Sequence, residues 1–478
     1  MVTANKAKTK YGGKMKRIVI FILLVMIMCS IIANEENDIV GQWSGVLNVQ
    51  GMNMRLVFHI DKSDESYTAT MDSPDQGAFG IPVATTTYEN STLTLEIPSI
   101  GLFYEADLLE DTIVGTFKQG GLSLPLTLER TFTEATPFNR PQEPIPPFPY
   151  RSEDVTFENR EAGVTLSGTL TMPTRGRNFR AVILISGSGP QDRNEEVFGH
   201  KPFLVLADHL TRQGIAVLRF DDRGVGLSTG DHATATTADF ATDVESAIDY
   251  LKTRREINNR NIGLIGHSEG GIIAPMVASR SNDVAFVVML AGTGMRGAIL
   301  MLKQAELILQ ASGMSEDFIR NNMLINAQAF AIIVSQEEPV PSELINAYLL
   351  EIKDDIEQVL APGMSVEDHI ELLVTQLSTP WMQYFLRYDP APTLELVKCP
   401  VFALNGENDL QVPARENLSI IQSALERGGN KRVTIKEYPG LNHLFQECET
   451  GLPANYVMIE QTISPEVLKD IADWIRGL

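Results

Sequence analysis

A short glycine-rich segment decides the fold, and it reads Ile265-Gly266-His267-Ser268-Glu269-Gly270-Gly271. It follows an apolar run that predicts a strand, residues 262–265, and precedes an apolar run that predicts the start of a helix, residues 272–276. A tight turn between a strand and a helix presents a serine hydroxyl at the top of a sheet, and the flanking glycines let the two elements approach closely. The alternative is a glycine-rich turn with an incidental serine, but the strand–turn–helix context favours a nucleophilic Ser268.

Around this segment, strand and helix patterns alternate from residue 151 onward. Residues 238–253 predict a helix, and strand patterns occur at residues 164–172, 181–185, 215–220, 262–265, 286–290, 401–404 and 433–438. Continuous apolar strands separated by helices are typical of a mostly parallel sheet covered on both faces. Residues 293–387 have helical patterns only. The sequence therefore predicts an α/β domain over residues 151–478 with an inserted helical cap at about residues 293–387.

A nucleophilic serine needs a base, because its hydroxyl is a poor nucleophile at neutral pH. His443 is the one histidine after the cap, and it follows the last predicted strand, so by elimination it is the candidate base. The carboxylate that orients such a histidine is expected in the turn after residue 404, where Glu407 and Asp409 both qualify by position. Asp409 is favoured because it lies where the turn leads into the next helix. An acid with only a solvation or capping role is the alternative.

A second glycine-rich loop, Ser186-Gly187-Ser188-Gly189-Pro190-Gln191-Asp192-Arg193, follows an early predicted strand. Such loops expose backbone N–H groups, and donors fixed in advance stabilise the oxyanion that forms when a carbonyl carbon is attacked. The predicted oxyanion donors are the backbone N–H groups of Ser188 and Glu269. A plain turn between a strand and a helix is the alternative.

Four stretches together resemble one family of enzymes: residues 186–193, 219–228, 266–270 and 405–413. On them, residues 151–478 are similar to serine hydrolases of the α/β-hydrolase superfamily, in its serine aminopeptidase-like or dienelactone hydrolase-like esterase branch. The resemblance implies an α/β-hydrolase fold and a triad of Ser268, Asp409 and His443. The oxyanion loop departs from the His-Gly pair that is common elsewhere in the superfamily, since it carries Ser186-Gly187. The N-terminal region lies outside the resemblance.

The N-terminus predicts export. Lys14, Lys16 and Arg17 precede an apolar run over residues 18–32, a pattern typical of a secretory signal peptide, which we assign to residues 1–36. An uncleaved membrane anchor is the alternative, but this run is shorter than the roughly 20 residues that span a bilayer. Lipid attachment at Cys29 stays open. We expect an extracytoplasmic protein with no stable membrane span after cleavage.

Residues 37–133 predict a small all-β domain, because apolar residues alternate with polar ones, as in Thr92-Leu93-Thr94-Leu95-Glu96-Ile97. Gly41-Gln42-Trp43 resembles the opening of lipocalin-type barrels, although a structural tryptophan in a small barrel or sandwich is the favoured interpretation. Six prolines within residues 137–149 predict a semi-rigid linker over residues 134–150.

Composition excludes several functions. The 61 acidic residues outnumber the 39 Lys and Arg, so the formal charge of −22 disfavours nucleic acid as a partner. The seven histidines form no cluster at ligand spacing, so we expect no metal and no cofactor. A dinucleotide loop at residues 224–230 is disfavoured because no acidic residue closes a second strand at the distance that a ribose contact needs.

The sequence thus predicts a carboxylic-ester hydrolase that forms an acyl-enzyme on Ser268 and takes a small ester or acyl substrate. Three aromatic residues at the end of the cap, Trp381, Tyr384 and Phe385, are candidates for the wall of an acyl pocket. An aminopeptidase or thioesterase on the same triad, and a non-catalytic binding protein on a hydrolase scaffold, are the alternatives.

Overall fold

The structure, a computed structural model, describes residues 39–49, 52–63, 66–74, 78–109, 111–119, 122–131, 139–336, 339–360 and 365–478. The predicted signal segment 1–36 and residues 134–138 of the predicted linker lie outside these ranges.

Within the described residues, nine strands form an antiparallel N-terminal sheet in the order β4-β3-β2-β1-β9-β8-β7-β6-β5. Their bounds are β1 Gly41–Val49, β2 Met52–Ser63, β3 Ser66–Ser73, β4 Ala78–Val83, β5 Thr85–Glu89, β6 Thr92–Ile97, β7 Leu102–Leu109, β8 Thr112–Gln119 and β9 Leu122–Thr131. The predicted all-β region is therefore a separate antiparallel domain. Leu93 and Leu95 of β6 are buried between partly exposed threonines, as strict alternation requires.

Trp43 is a structural residue of this domain. It is fully buried, its indole N–H donates to the carbonyl of Ile39 at 2.7 Å, and the Arg130 guanidinium lies 4.3 Å from its ring centroid. A buried indole whose N–H is satisfied and whose face is covered by a cation ties the first strand to the last.

The second sheet has eight strands in the order β10-β11-β13-β12-β14-β15-β16-β17. Their bounds are β10 Arg151–Asn159, β11 Val164–Met172, β12 Phe179–Ile185, β13 Ala216–Phe220, β14 Ile257–His267, β15 Phe286–Leu290, β16 Val401–Gly406 and β17 Val433–Tyr438. The first two strands pair antiparallel and the sheet is parallel from β13 to β17, which confirms the mostly parallel prediction. β14 begins earlier than predicted, because its first half contains exposed polar residues that an apolar pattern does not detect.

Helices cover both faces of this sheet, as predicted. On one face lie α1 (Pro202–Arg212) and α12 (Pro465–Gly477), and on the other lie α2 (Thr237–Thr253), α3 (Gly270–Arg280), α10 (Pro390–Leu396) and α11 (Ala414–Arg427). Each layer encloses its own cluster of buried aliphatic residues against the strands. In this part of the chain, none of the helices reaches the length and hydropathy of a membrane-spanning segment.

Between β15 and β16 the described residues form further helices and no strand. These are α4 Gly297–Ala311, α5 Glu316–Ser335, α6 Ser342–Glu351, α7 Lys353–Glu357, α8 Val366–Leu377 and α9 Pro380–Arg387, here called the helical insertion. The insertion has its own buried cluster, which includes Ile333, Ile345 and Leu349. Leu300 of α4 and Phe385 of α9 pack instead into the core of the sheet domain. The insertion is thus attached through its first and last helices.

The described part of the proline-rich segment, residues 139–150, lies against the sheet domain. Arg140 donates to the carbonyls of Val457 and Ile459 at 2.7 Å each, and also to those of Phe198 and Gly199. Gln142 bonds the backbone at residues 462 and 463. Residues 139–150 of the predicted spacer, here called the strap, are therefore hydrogen-bonded to two loops of the sheet domain.

Candidate active site

The turn at Ser268 joins β14, which ends at His267, to α3, which begins at Gly270. Ser268 has φ of +52°, in the left-handed region, where a non-glycine residue costs free energy and persists only if its surroundings hold it. Its N–H donates to Leu290 O at 2.8 Å. A Cβ at Gly266 would lie 1.9 Å from Gly270 O, so only glycine allows this crossing of strand and helix. Ser268 itself is partly exposed between buried neighbours.

Asp409 and His443 are in direct contact at the carboxyl edge of the sheet. His443 Nδ1 lies 2.7 Å from Asp409 Oδ2, and both side chains are buried. Asp409 Oδ1 accepts the backbone N–H groups of Gln411 and Val412 at 2.8 Å each. Because an ionised carboxylate only accepts, Nδ1 of His443 must carry the proton, which leaves Nε2 as a hydrogen-bond acceptor.

Glu407, the other candidate for the orienting acid, lies elsewhere. It is exposed, and it pairs with Arg415 at 3.2 Å. Of the two carboxylates that the sequence left open, the structure therefore brings only Asp409 to His443.

The loop that follows β12 is held by two consecutive aspartates after β13. Asp222 accepts from the Ser186 hydroxyl at 2.8 Å and from the Gln191 N–H at 3.0 Å, and Asp221 pairs with Arg193 at 2.7 Å. Burial raises the pKa of Asp222 well above its ordinary value, although its two hydrogen bonds oppose the shift. The two aspartates after β13 thus fix the conformation of the loop that follows β12.

The backbone N–H groups predicted to hold an oxyanion, those of Ser188 and Glu269, have no hydrogen-bond partner among the described residues. Ser188 is exposed, and Glu269 directly precedes the first residue of α3. An unpaired N–H at the start of an 11-residue helix also benefits from the positive end of the helix dipole.

Comparisons with known proteins find similarity to serine hydrolases. The family described as "Serine aminopeptidase, S33" matches residues 201–340. The chain is 24% identical to "Esterase EstD" of Thermotoga maritima over 368 residues, which cover 75% of this chain and 77% of that protein. In the sheet of this chain, β13 lies between β11 and β12, and the serine turn follows β14. Residues 151–478 have the α/β-hydrolase fold.

Two further comparisons are weaker. The chain is 30% identical to "Uncharacterized protein YfhR" of Salmonella typhi over 125 residues, 26% of this chain and 40% of that protein. Among solved structures, "hypothetical protein PA2218" from Pseudomonas aeruginosa is 16% identical, covering 73% of this chain and 99% of that one with a TM-score of 0.43.

The loop that carries His443 is built from buried polar contacts. Asn442 Oδ1 accepts the N–H groups of Leu444 and Gln446 at 3.0 Å each. The His443 N–H lies 3.4 Å from the Tyr456 hydroxyl, and the His443 carbonyl lies 3.1 Å from His267 Nε2. The sequence did not single out these partners, because nothing in the local pattern of a distant tyrosine or histidine indicates which loop it supports.

The helical insertion contacts the serine turn through the side chain of Trp381. Trp381 of α9 donates its indole N–H to Glu269 Oε1 at 2.8 Å, and Thr237 donates to the same oxygen at 2.6 Å. Burial raises the pKa of Glu269. Among the three predicted wall residues, Phe385 is buried beneath Trp381 and Tyr384 stacks on Tyr388, so Trp381 is the one placed beside the turn.

The described residues contain no group of three or more His, Cys, Asp or Glu side chains arranged to hold a metal ion. The glycine run at residues 224–230 bonds to its own surroundings: the Gly224 N–H donates to Thr229 O at 3.1 Å, and the Ser228 hydroxyl donates to Asp221 O at 2.7 Å. Together with the bond from the Thr229 N–H to Thr165 O of β11 at 2.8 Å, they are typical of a structural turn that ties the loop to β11.

Proposed function

We propose that this α/β-hydrolase cleaves carboxylic esters through an acyl-enzyme on Ser268. The observation that carries the proposal is the 2.7 Å contact between His443 Nδ1 and an Asp409 carboxylate whose other oxygen is held by two N–H groups. A histidine fixed in this tautomer can act as a general base, because its free Nε2 can take the proton of a hydroxyl nucleophile. Ser268 in its left-handed turn is that nucleophile. Similarity to a protein named esterase supports an ester substrate.

In the proposed reaction, Ser268 Oγ attacks the acyl carbon while His443 Nε2 takes the hydroxyl proton. The carbonyl oxygen becomes an anion, which accepts hydrogen bonds from the N–H groups of Ser188 and Glu269; each such donor contributes roughly 3 kcal/mol to the barrier reduction. His443 then gives the proton to the leaving alcohol. Water, deprotonated by the same histidine, releases the acid and restores Ser268. Asp409 stays ionised and holds the imidazolium.

The helical insertion is proposed to act as the cap over the acyl pocket. It emerges after β15, whose Leu290 carbonyl accepts the Ser268 N–H, and it returns to the serine turn through the Trp381–Glu269 contact. Each methylene of an acyl chain that the cap removes from water contributes about 0.8 kcal/mol, so kcat/KM should rise with chain length to a limit set by pocket depth.

The test is covalent labelling of Ser268 with a fluorophosphonate, together with turnover of p-nitrophenyl esters. We expect the wild type to label and Ser268→Ala neither to label nor to turn over, with an unchanged circular dichroism spectrum. A folded Ser268→Ala variant that keeps more than about a tenth of wild-type turnover contradicts the assignment, since loss of the nucleophile costs orders of magnitude.

An aminopeptidase is the second candidate, because the matching family carries that description. Acyl esters and aminoacyl anilides share the same machinery, so a panel of both separates the two activities. Higher kcat/KM on aminoacyl anilides than on every ester would favour the peptidase. Absence of any Ser268 adduct would favour a non-catalytic binding protein on this scaffold.

We further propose that residues 1–36 direct the protein out of the cytoplasm. The proposal rests on the basic residues Lys14, Lys16 and Arg17 and on the apolar run over residues 18–32. N-terminal sequencing of the protein recovered from fractionated cells tests it: a mature chain that begins beyond the apolar run supports export, and an intact cytoplasmic chain contradicts it.

A further inference from the structure

Two buried side chains outside the proposed triad lie next to Ser268. His267 and Glu195 are almost completely inaccessible, with side-chain exposures of 9% and 3%. His267 Nδ1 lies 2.9 Å from Glu195 Oε1, and His267 Nε2 lies 3.1 Å from the backbone carbonyl oxygen of His443. Both ring nitrogens therefore face an oxygen.

The proton count of this contact is restrictive. A backbone carbonyl only accepts hydrogen bonds, and an ionised carboxylate only accepts, whereas a neutral imidazole has one N–H to give. With Glu195 ionised, only a doubly protonated ring satisfies both partners of His267. Burial is the strongest influence on the pKa of His267 and lowers it, but the adjacent Glu195 charge and the His443 carbonyl outweigh burial and raise that pKa above its ordinary value.

Glu195 has a second partner, which lies in the oxyanion loop. Its Oε1 also accepts the Gly187 N–H at 2.7 Å, and Gly187 directly precedes Ser188. The packing around Gly187 is close, because a Cβ there would lie 3.2 Å from Ser268 Cβ and 3.3 Å from Glu195 Oε1. Glu195 Oε1 thus contacts both the oxyanion loop, at Gly187, and His267, which in turn contacts the loop that carries His443.

We propose that Glu195 and a doubly protonated His267 form a buried ion pair that positions the general base His443 and the oxyanion donor Ser188 relative to Ser268. The inference rests on the proposed function, because it assigns a role in that reaction. His267 and Glu195 are positioning residues, since they act through the His443 carbonyl and the Gly187 N–H. A displacement of about 1 Å in such a constellation costs about 10²-fold in rate, which sets the size of the expected effect.

The charges around the pair favour the same state. The His443 ring lies 4.8 Å from the His267 ring, with the Asp409 carboxylate beyond it, and Asp409 also raises the pKa of His267. Asp222, from the loop after β13, is a further buried acid that interacts with Glu195, and Glu269 of the serine turn interacts in turn with Asp222. Among the described residues, the other hydrogen bonds of these two side chains go to backbone groups, the Gly187 N–H and the His443 carbonyl, so Glu195 is the direct partner that keeps the second proton on His267.

The protonation state is measured by nitrogen NMR of the full chain labelled at its histidines. We expect two ring N–H signals for His267 in the wild type from mildly acidic to mildly alkaline pH, and one in Glu195→Gln at neutral pH, because the isosteric amide removes the charge. His267→Asn assigns the signals. A single N–H for wild-type His267 at neutral pH overturns the proposal. This measurement needs no turnover, so it stands even if the proposed ester hydrolysis fails.

Two substitutions separate the contacts of the ring. His267→Gln places an amide N–H near the Nε2 position and keeps a donor for the His443 carbonyl, whereas His267→Asn places one near Nδ1 and keeps only the Glu195 contact. For ester substrates we expect kcat to fall about 10²-fold in His267→Asn with KM unchanged, and to be partly rescued in His267→Gln. His59→Asn, which alters a histidine–carboxylate pair in the N-terminal domain, is the matched control and should keep wild-type kcat.

A folded His267→Asn variant with wild-type kcat overturns the positioning role. A rise in KM with unchanged kcat also overturns it, because that result assigns the ring to substrate binding. If the wild type neither labels with fluorophosphonate nor turns over esters, the proposed function fails instead, and the NMR result still decides whether the ion pair exists.

Discussion

The substitution Asp409→Asn tests the site most sharply, because the structure fixes how the new amide must point. Asp409 Oδ1 accepts two backbone N–H groups, from Gln411 and Val412, so this position must remain an oxygen. The amide NH₂ of an asparagine is then directed at His443 Nδ1, which lies 2.7 Å from the replaced oxygen. A donor at that point forces Nδ1 to give up its proton.

The size of the loss follows from this tautomer. With Nδ1 unprotonated, the neutral ring carries its proton on Nε2, and it cannot accept the Ser268 proton. The opposite amide orientation would turn the NH₂ toward two N–H donors and abandon two buried hydrogen bonds, at about 1–3 kcal/mol each. We therefore expect kcat to fall about 10⁴-fold, as when the orienting acid of a serine triad is neutralised. This corresponds to about 5.5 kcal/mol in the activation barrier.

The assay is turnover of a short p-nitrophenyl ester, with the rate of fluorophosphonate labelling of Ser268 measured in parallel. Both rates should fall together, while KM and the circular dichroism spectrum stay unchanged. Glu407→Gln is the matched control, since Glu407 is an acid of the same turn that pairs only with the exposed Arg415. If folded Asp409→Asn retains more than about a tenth of wild-type kcat, or if Glu407→Gln is impaired as strongly, the tautomer argument is wrong.

Three further predictions concern stability and the insertion. Since burial raises the pKa of Glu269, the free energy of unfolding of the wild type should fall as pH rises above 4.5, the ordinary pKa of that group, by at most about 1.4 kcal/mol per pH unit. Urea unfolding of Glu269→Gln should lack this slope. Parallel pH profiles of the two proteins would contradict the prediction. Trp381→Phe removes the donor to Glu269 and should destabilise the chain by about 1 kcal/mol and flatten the acyl-chain-length profile, whereas an unchanged profile would separate α9 from specificity. A chain beginning at residue 139 should have a higher melting temperature than one beginning at residue 151, because only the longer chain contains the Arg140 hydrogen bonds. Arg140→Ala in the longer chain should lower the free energy of unfolding by at least about 1 kcal/mol. Equal melting temperatures of the two chains would show that residues 139–150 do not contribute to stability.

Local sequence determined the elements that carry the chemistry. The strand Phe286–Leu290 has the bounds that its apolar run predicts, because a strand buried on both faces must be apolar at every position. The edge strand Val433–Tyr438 also has its predicted bounds, although Tyr438 is its one buried residue. The turn at Ser268 was equally readable, since a chain that crosses itself at Gly266 and Gly270 can do so only with glycine there. The positions of acids and histidines after the cap then limited the candidate base to His443 and the candidate acid to Glu407 or Asp409.

Tertiary structure decided which candidates meet. Asp409 and His443 are 34 residues apart, His267 and Glu195 are 72 apart, and the His267 contact to the His443 carbonyl spans 176 residues. No periodicity encodes such pairs, because a hydrogen bond depends on where two loops arrive and not on the pattern inside either loop. For the same reason the position of Asp409 in its turn favoured it over Glu407 but did not establish its contact with His443.

The proline-rich segment shows the same division. Its composition sets its backbone preference, and residues 137–149 predict an extended chain. Composition does not say what an extended chain lies against. The four carbonyls that accept from Arg140 belong to two loops that follow it by 58 to 319 residues, and they become neighbours only after the sheet has formed. Local propensity therefore set the conformation of each segment, and long-range packing set its partners.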